Sequence, residues 1–168
     1  MPEGPPPLAL HEALAQHTGF LISRIGLRAQ RAFAERIGEA GLTPRGWGAL
    51  NVLDEEGAVT QQWLGTCIGM DPSSMVATID ELEAEGLVER RRNPQDRRAH
   101  ALHITAKGRR TLTRGRKIAR RAQEELLAPL KAEERRQLHD LLLRVAQDAG
   151  PAQAQASAAT SSELVPTG

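Results

Sequence analysis

Apolar residues recur at helical spacing along most of the chain and alternate with polar ones only in one short stretch. From Leu8 to roughly Ala40, Leu14, Leu21, Ile25 and Ala32 repeat at heptad-like intervals, with Ile22 and Phe33 alongside, which predicts one long helix. A helix of that length needs apolar partners throughout, from its own chain or from a second one. Gly41 is its stop signal, and Pro44 opens a second helix to about Glu55 that carries Trp47, Leu50, Val52 and Leu53. Gly57 follows. Thr60 is placed to cap a short third helix with Leu64, Cys67 and Ile68 on one face. After Gly69 and Met70, Asp71 and Pro72 supply an N-cap carboxylate and a first-turn proline to a fourth helix, which runs to Glu85 and ends at Gly86. Met75, Ile79 and Leu82 form its expected buried stripe, which leaves Ser73, Ser74, Ala77, Thr78 and Glu81 on the opposite side.

Leu87 to Arg92 and Ala101 to Thr105 read as two strands around a turn at Asn93, Pro94, Gln95 and Asp96. A long basic helix follows, Lys107 to Leu130, with Leu112, Ile118, Ala122, Leu126 and Leu130 on buried or partner faces. Its interior Gly108 and Gly115 cost helix propensity. A last helix, about Ala132 to Ala149, has Leu138, Leu141, Leu142 and Val145 at helical spacing. A short helix, a turn, a second helix and a basic hairpin, in that order, make a winged helix-turn-helix. The predicted fold class is therefore mainly α with a small β-hairpin wing. One domain is expected over residues 8–149, with the winged helix-turn-helix at about 41–105. Residues 1–7 and 150–168 have too few sizeable apolar side chains to offset chain entropy and are expected to be disordered.

Composition adds two constraints. Aromatics are only Phe20, Phe33, Trp47 and Trp63, so the core must come from Leu, Ile, Val and Ala. The formal net charge of +1 is uninformative, but its distribution is not. Arg90 to Arg121 holds thirteen Lys or Arg against one acid, Asp96, whereas Asp71 to Glu89 holds six acids and no base. A basic run of that density is a candidate phosphate-facing stripe. The lone Cys67 rules out an intrachain disulfide. No apolar run approaches the roughly 20 residues of a membrane span, so no membrane partner and a cytoplasmic location are expected.

The fourth helix is the expected major-groove reader. Small Ser73, Ser74 and Ala77 allow close approach, and Thr78 offers a methyl for thymine. Arg, Lys, Asn and Gln are all missing from this helix, so direct base readout should be modest. In the hairpin, Asp96 stands beside Arg97 and Arg98, and an arginine at a wing tip can enter the narrow, electronegative minor groove. Arg90, Arg91 and Arg92 alternate in direction along their strand. Two of them, Arg90 and Arg92, share a face and are expected to contact phosphates.

The run from Leu82-Glu83-Ala84-Glu85-Gly86-Leu87-Val88-Glu89-Arg90 through Asn93-Pro94-Gln95-Asp96-Arg97-Arg98-Ala99 to Leu102-His103-Ile104-Thr105-Ala106-Lys107-Gly108 resembles the MarR family of bacterial transcriptional regulators, as do Leu64-Gly65 and Asp71-Pro72-Ser73-Ser74-Met75-Val76. The resemblance covers roughly residues 10–148. It implies a homodimer joined through a helical dimerisation region, here about 8–40 and 106–149, with one winged helix-turn-helix per subunit on double-stranded DNA. The family's wing pattern of Asp, any residue, Arg falls on Asp96 and Arg98, which makes Arg98 the implied minor-groove residue and Asp96 its ion-pair partner. Many members carry a long polar side chain where Ala77 and Thr78 stand, and a capping Ser near Lys131. These departures shift weight from base contacts to the wing and to DNA shape.

Many such regulators bind small aromatic or phenolic acids between their dimerisation and DNA-binding regions. The candidates here are His17, Phe20 and Arg24 with Arg45 and Trp47, since aromatic faces beside a guanidinium suit a carboxylated ring. Peroxide-sensing relatives carry a reactive thiol near the start of the first helix, and this chain has none there. Cys67, on the apolar stripe of the third helix, is expected to be a buried structural thiol. No metal or other cofactor is expected, because His100 and His103 point to opposite strand faces and His11 and His17 lack ligand spacing. No nucleophile, base and acid set appears, so an enzyme is not expected. The expected function is a homodimeric DNA-binding regulator, a repressor on a pseudo-palindromic operator with a small-molecule effector. Two alternatives remain: a low-specificity architectural DNA-binding protein, and a winged-helix module for protein contacts.

Overall fold

The long first helix is interrupted. In the computed structural model, which describes residues 10–92 and 100–148, a short α1 (Glu12–Ala15) is capped by the His11 ring and stops before α2 (Thr18–Ile37). His17 lies between them with extended φ −100° and ψ 104°. Thr18 and Gly19 are weak helix formers, so a break costs least there. A 3-10 turn, Gly38–Ala40, closes α2. The expected disorder of residues 1–7 and 150–168 concerns positions outside the described residues.

Thr43 then caps α3 (Pro44–Glu56), its hydroxyl accepting from the Gly46 N–H, with Pro44 in the first turn. Thr60 caps α4 (Gln61–Ile68), and Asp71 caps α5 (Pro72–Ala84), as their sequences predict. Gly69 joins these two helices at φ 66°, a left-handed conformation that glycine adopts without Cβ strain. The strands are β2 (Val88–Arg92) and β3 (His100–Ile104), antiparallel from Val88 opposite Ile104 to Arg92 opposite His100. A third strand, β1 (Val59–Thr60), adds to the other edge of β3, giving the order β1-β3-β2. At two residues β1 is too short for its alternation to show in sequence.

The core sits where α3, α4 and α5 meet the sheet and the start of α6 (Ala106–Leu126). Ile37, Leu50, Leu53, Leu64, Met75, Ile79, Leu102 and Leu112 are fully buried there. The stripe of α4 is rotated from the expected one. Gln61, Leu64, Gly65 and Ile68 face inward, with Gly65 packed beside Met75 of α5, while Cys67 is exposed. Cys67 is therefore not a buried structural thiol. In α5, Thr78 is buried with Met75, Ile79 and Leu82, its hydroxyl 3.6 Å from the Met70 sulfur.

The corner between β3 and α6 fixes the end of the helix-turn-helix. Thr105 caps α6 by accepting from the Gly108 N–H at 3.0 Å and donates to the Gly86 carbonyl at 2.8 Å. Lys107 Nζ donates to the Glu85 carbonyl at 2.6 Å, satisfying an orphan carbonyl at the end of α5. Gly108 is not a weakness in α6 but a requirement, since a Cβ there would lie 2.2 Å from the Leu87 carbonyl oxygen. Further along, Arg114 donates to the Ala40 carbonyl, Arg116 to Asn51 and Asp54 of α3, and Arg36 of α2 pairs with Glu125. The helix ends at Leu126 rather than Leu130, because Pro129 disfavours helical geometry in the residue before it. The last helix, α7 (Ala132–Asp148), leaves Leu141, Leu142, Leu143 and Val145 exposed. At its start Glu134 accepts from the Lys131 N–H, the carboxylate half of a capping box. No described helix is long and apolar enough to cross a membrane.

Candidate nucleic-acid interface

The N-terminus of α5 is tightly organised. The Asp71 carboxylate accepts the Ser74 N–H at 2.9 Å and the Ser73 hydroxyl at 2.6 Å, and these bonds hold its carboxyl far below the ordinary range. Ser73 is exposed and its proton is committed to Asp71, so it can accept from a base edge but has no proton to offer a phosphate. Ser74 is half-buried, and Thr78 is turned into the core. The expectation that Thr78 faces DNA is thus corrected. Position 78 lies three residues after Met75 and shares its inward face.

The outward face of α5 consists of Ser73, Val76, Ala77, Asp80 and Glu81. Val76, at 44% exposure, is the residue that sequence reasoning missed. Its signal was the i+3 spacing from Ser73, which places an apolar side chain where a thymine methyl can be met.

Arg90 and Arg92 share a strand face but differ in engagement. The Arg90 guanidinium, 25% exposed, donates to Asp80 at 2.6 Å, to Glu83, and to Gln61 at 3.3 Å. Burial opposes its charge, but the hydrogen bonds to Asp80 and Glu83 raise its pKa above the ordinary arginine value. Both arms of its fork are thus turned back onto the protein rather than left free for the phosphate contact expected of it. Arg91 pairs with Glu89, and Arg92 is exposed at the outer end of β2. Asp96, Arg97 and Arg98 lie outside the described residues.

The expected ligand set does not assemble within one chain. Trp47 packs edge-on against Phe33 with ring centroids 5.1 Å apart, and its Nε1 is buried without a hydrogen-bond partner. Phe20, half-buried, lies thirteen residues before Phe33 on α2, about 20 Å along the helix. His17, exposed, is the N-cap of α2, Arg24 is exposed on it, and Arg45 is exposed in the first turn of α3. Two open grooves, of about 520 Å³ beside Leu42 and Leu82 and about 430 Å³ between α4 and α5, are lined by none of these five. Among the described residues no group of His, Cys, Asp and Glu is placed to hold a metal.

This architecture has close relatives. A model of the MarR family matches residues 40–99. A putative transcriptional regulatory protein for the hcr operon of Thauera aromatica is 34% identical over 137 residues, which is 81% of this chain and 82% of that protein. The transcriptional repressor CouR, solved bound to a 23-mer DNA duplex, is 33% identical with a TM-score of 0.75, over 83% of this chain and 99% of its own. The PcaV regulator of Streptomyces coelicolor, solved with its natural ligand, is 32% identical with a TM-score of 0.69, over 84% and 99%.

Proposed function

The chain belongs to the MarR family of DNA-binding transcriptional regulators and is not an enzyme, and from that premise we propose that it acts as a cytoplasmic homodimer that represses by occupying a pseudo-palindromic operator. The observation that carries the dimer is the apolar surface left open on α1, α2 and α7. Leu14, Ile22, Ile25 and Leu27 on one side and Leu141, Leu142, Leu143 and Val145 on the other are each more than 40% exposed. In each subunit α5 enters the major groove with Ser73 and Val76, with Ser74 fixing the turn that presents them. The wing brings Arg92, Arg97 and Arg98 to the backbone and minor groove, and Asp96 orients Arg98. Two such lobes place their half-sites about 10 base pairs apart, centre to centre.

Selection of bound fragments from genomic DNA, followed by competition against random duplex, tests this reading. A specific regulator should prefer its selected fragment by about 10³-fold or more. A ratio near one supports the architectural alternative, which the absence of long base-reading side chains on α5 favours. For release, the proposed effector is a small aromatic or phenolic acid. The buried, unpartnered Trp47 N–H supports a polar ligand atom reaching that point. Titrating a hydroxybenzoate into the protein–DNA complex should release the duplex, and an unmoved complex argues against this effector class.

A further inference from the structure

Arg90 joins three separate parts of the DNA-binding lobe. Its side chain leaves β2, the root of the wing, and reaches two carboxylates on α5 and the first residue of α4. Glu83 receives both the Arg90 backbone N–H, at 3.2 Å, and its guanidinium. Asp80 lies on the outward face of α5, where an uncompensated carboxylate would meet the phosphates. We infer that Arg90 is a positioning residue for DNA recognition, which sets the angle of the wing against α5 and offsets half of the negative charge of Asp80 and Glu83, and does not itself touch DNA. A planar fork can hold two carboxylates at once, which a lysine ammonium on a flexible stem does not do. The inference rests on the DNA-binding reading given above.

The test compares Arg90→Gln in the parent and in an Asp80→Asn/Glu83→Gln background, on one duplex selected from genomic DNA and on random duplex, at two salt concentrations. In the parent, Arg90→Gln should weaken the selected duplex about tenfold. In the neutralised background the same change should cost less than about twofold, because the clasp is already absent. The dependence of affinity on salt should keep its slope. A direct phosphate contact predicts the reverse: an equal loss in both backgrounds and a slope shallower by about 0.9. A lowered melting temperature with unchanged affinity also overturns the inference. Should Arg90→Gln fail to fold, Arg90→Lys decides. Positioning predicts a severalfold loss on selected duplex with random-duplex affinity kept, while a phosphate contact predicts both unchanged. A folded parent without any duplex affinity overturns the DNA-binding reading, and this inference with it.

Discussion

At Gly108 a single methyl group has no room. The Cβ of Gly108→Ala would overlap the Leu87 carbonyl oxygen and press on Ile104 at 2.8 Å, and the backbone oxygen cannot rotate away. We expect that substitution to cost about 3 kcal/mol in denaturant unfolding. Asp71 gives a second expectation, in pH. Its folded carboxyl titrates below its unfolded value, so its stabilisation is complete above the ordinary carboxylate range and fades as pH falls through it. The melting-temperature gap between the parent and Asp71→Ala should therefore narrow below about pH 4. Asp71→Asn should keep the cap at neutral pH, with a gap that depends less on acid. The cap itself was legible, since an acid before proline at a helix start has few other uses. Thr78 and Cys67 were not. Each lies one step round the helical wheel from a buried neighbour, and which of the two turns inward depends on how α4 and α5 pack, which periodicity alone does not display.

Among the elements, caps and turns were the readable part and packing was the unreadable one. Thr60 and Asp71 mark helix starts through a hydroxyl and a carboxylate acceptor, a local chemistry that sequence displays, while the caps at Thr43 and Thr105 emerge only in the structure. The rest needs distant partners. The two-residue β1 and the inward turn of Arg90 towards residues seven to twenty-nine positions away follow from tertiary contacts. A string of arginines reads as one basic stripe, yet Arg90 is clasped by α5, Arg114 and Arg116 reach from α6 to Ala40 and to α3, and Arg91 is in an exposed pair with Glu89. The cationic charge left for DNA is thus more localised than composition suggests, and the wing matters accordingly. Arg98→Ala should cost about 1–3 kcal/mol of affinity for selected duplex at fixed salt, read by fluorescence anisotropy. Unchanged affinity at physiological salt would remove the wing from the interface.

The molecule as a whole divides into a lobe that closes its own core and a helical region that does not. Fifteen core residues cluster around α3, α4, α5 and the sheet, whereas the apolar side chains of α7 stay open. A second copy of the same face is the simplest cover for that surface. Leu142→Glu should then shift the sedimentation mass from twice the 18.3 kDa chain towards one. It should also abolish high-affinity binding, since each subunit would hold only one half-site. The heptad-like spacing of the first helix signalled the need for a partner but not whether the partner lay in the same chain. The most direct measurement is the stoichiometry of the complex on a single selected duplex, by sedimentation at saturation. Two chains per duplex are expected, protecting two half-sites about 10 base pairs apart. One chain per duplex, or complexes that grow with duplex length at no preferred position, would contradict that expectation.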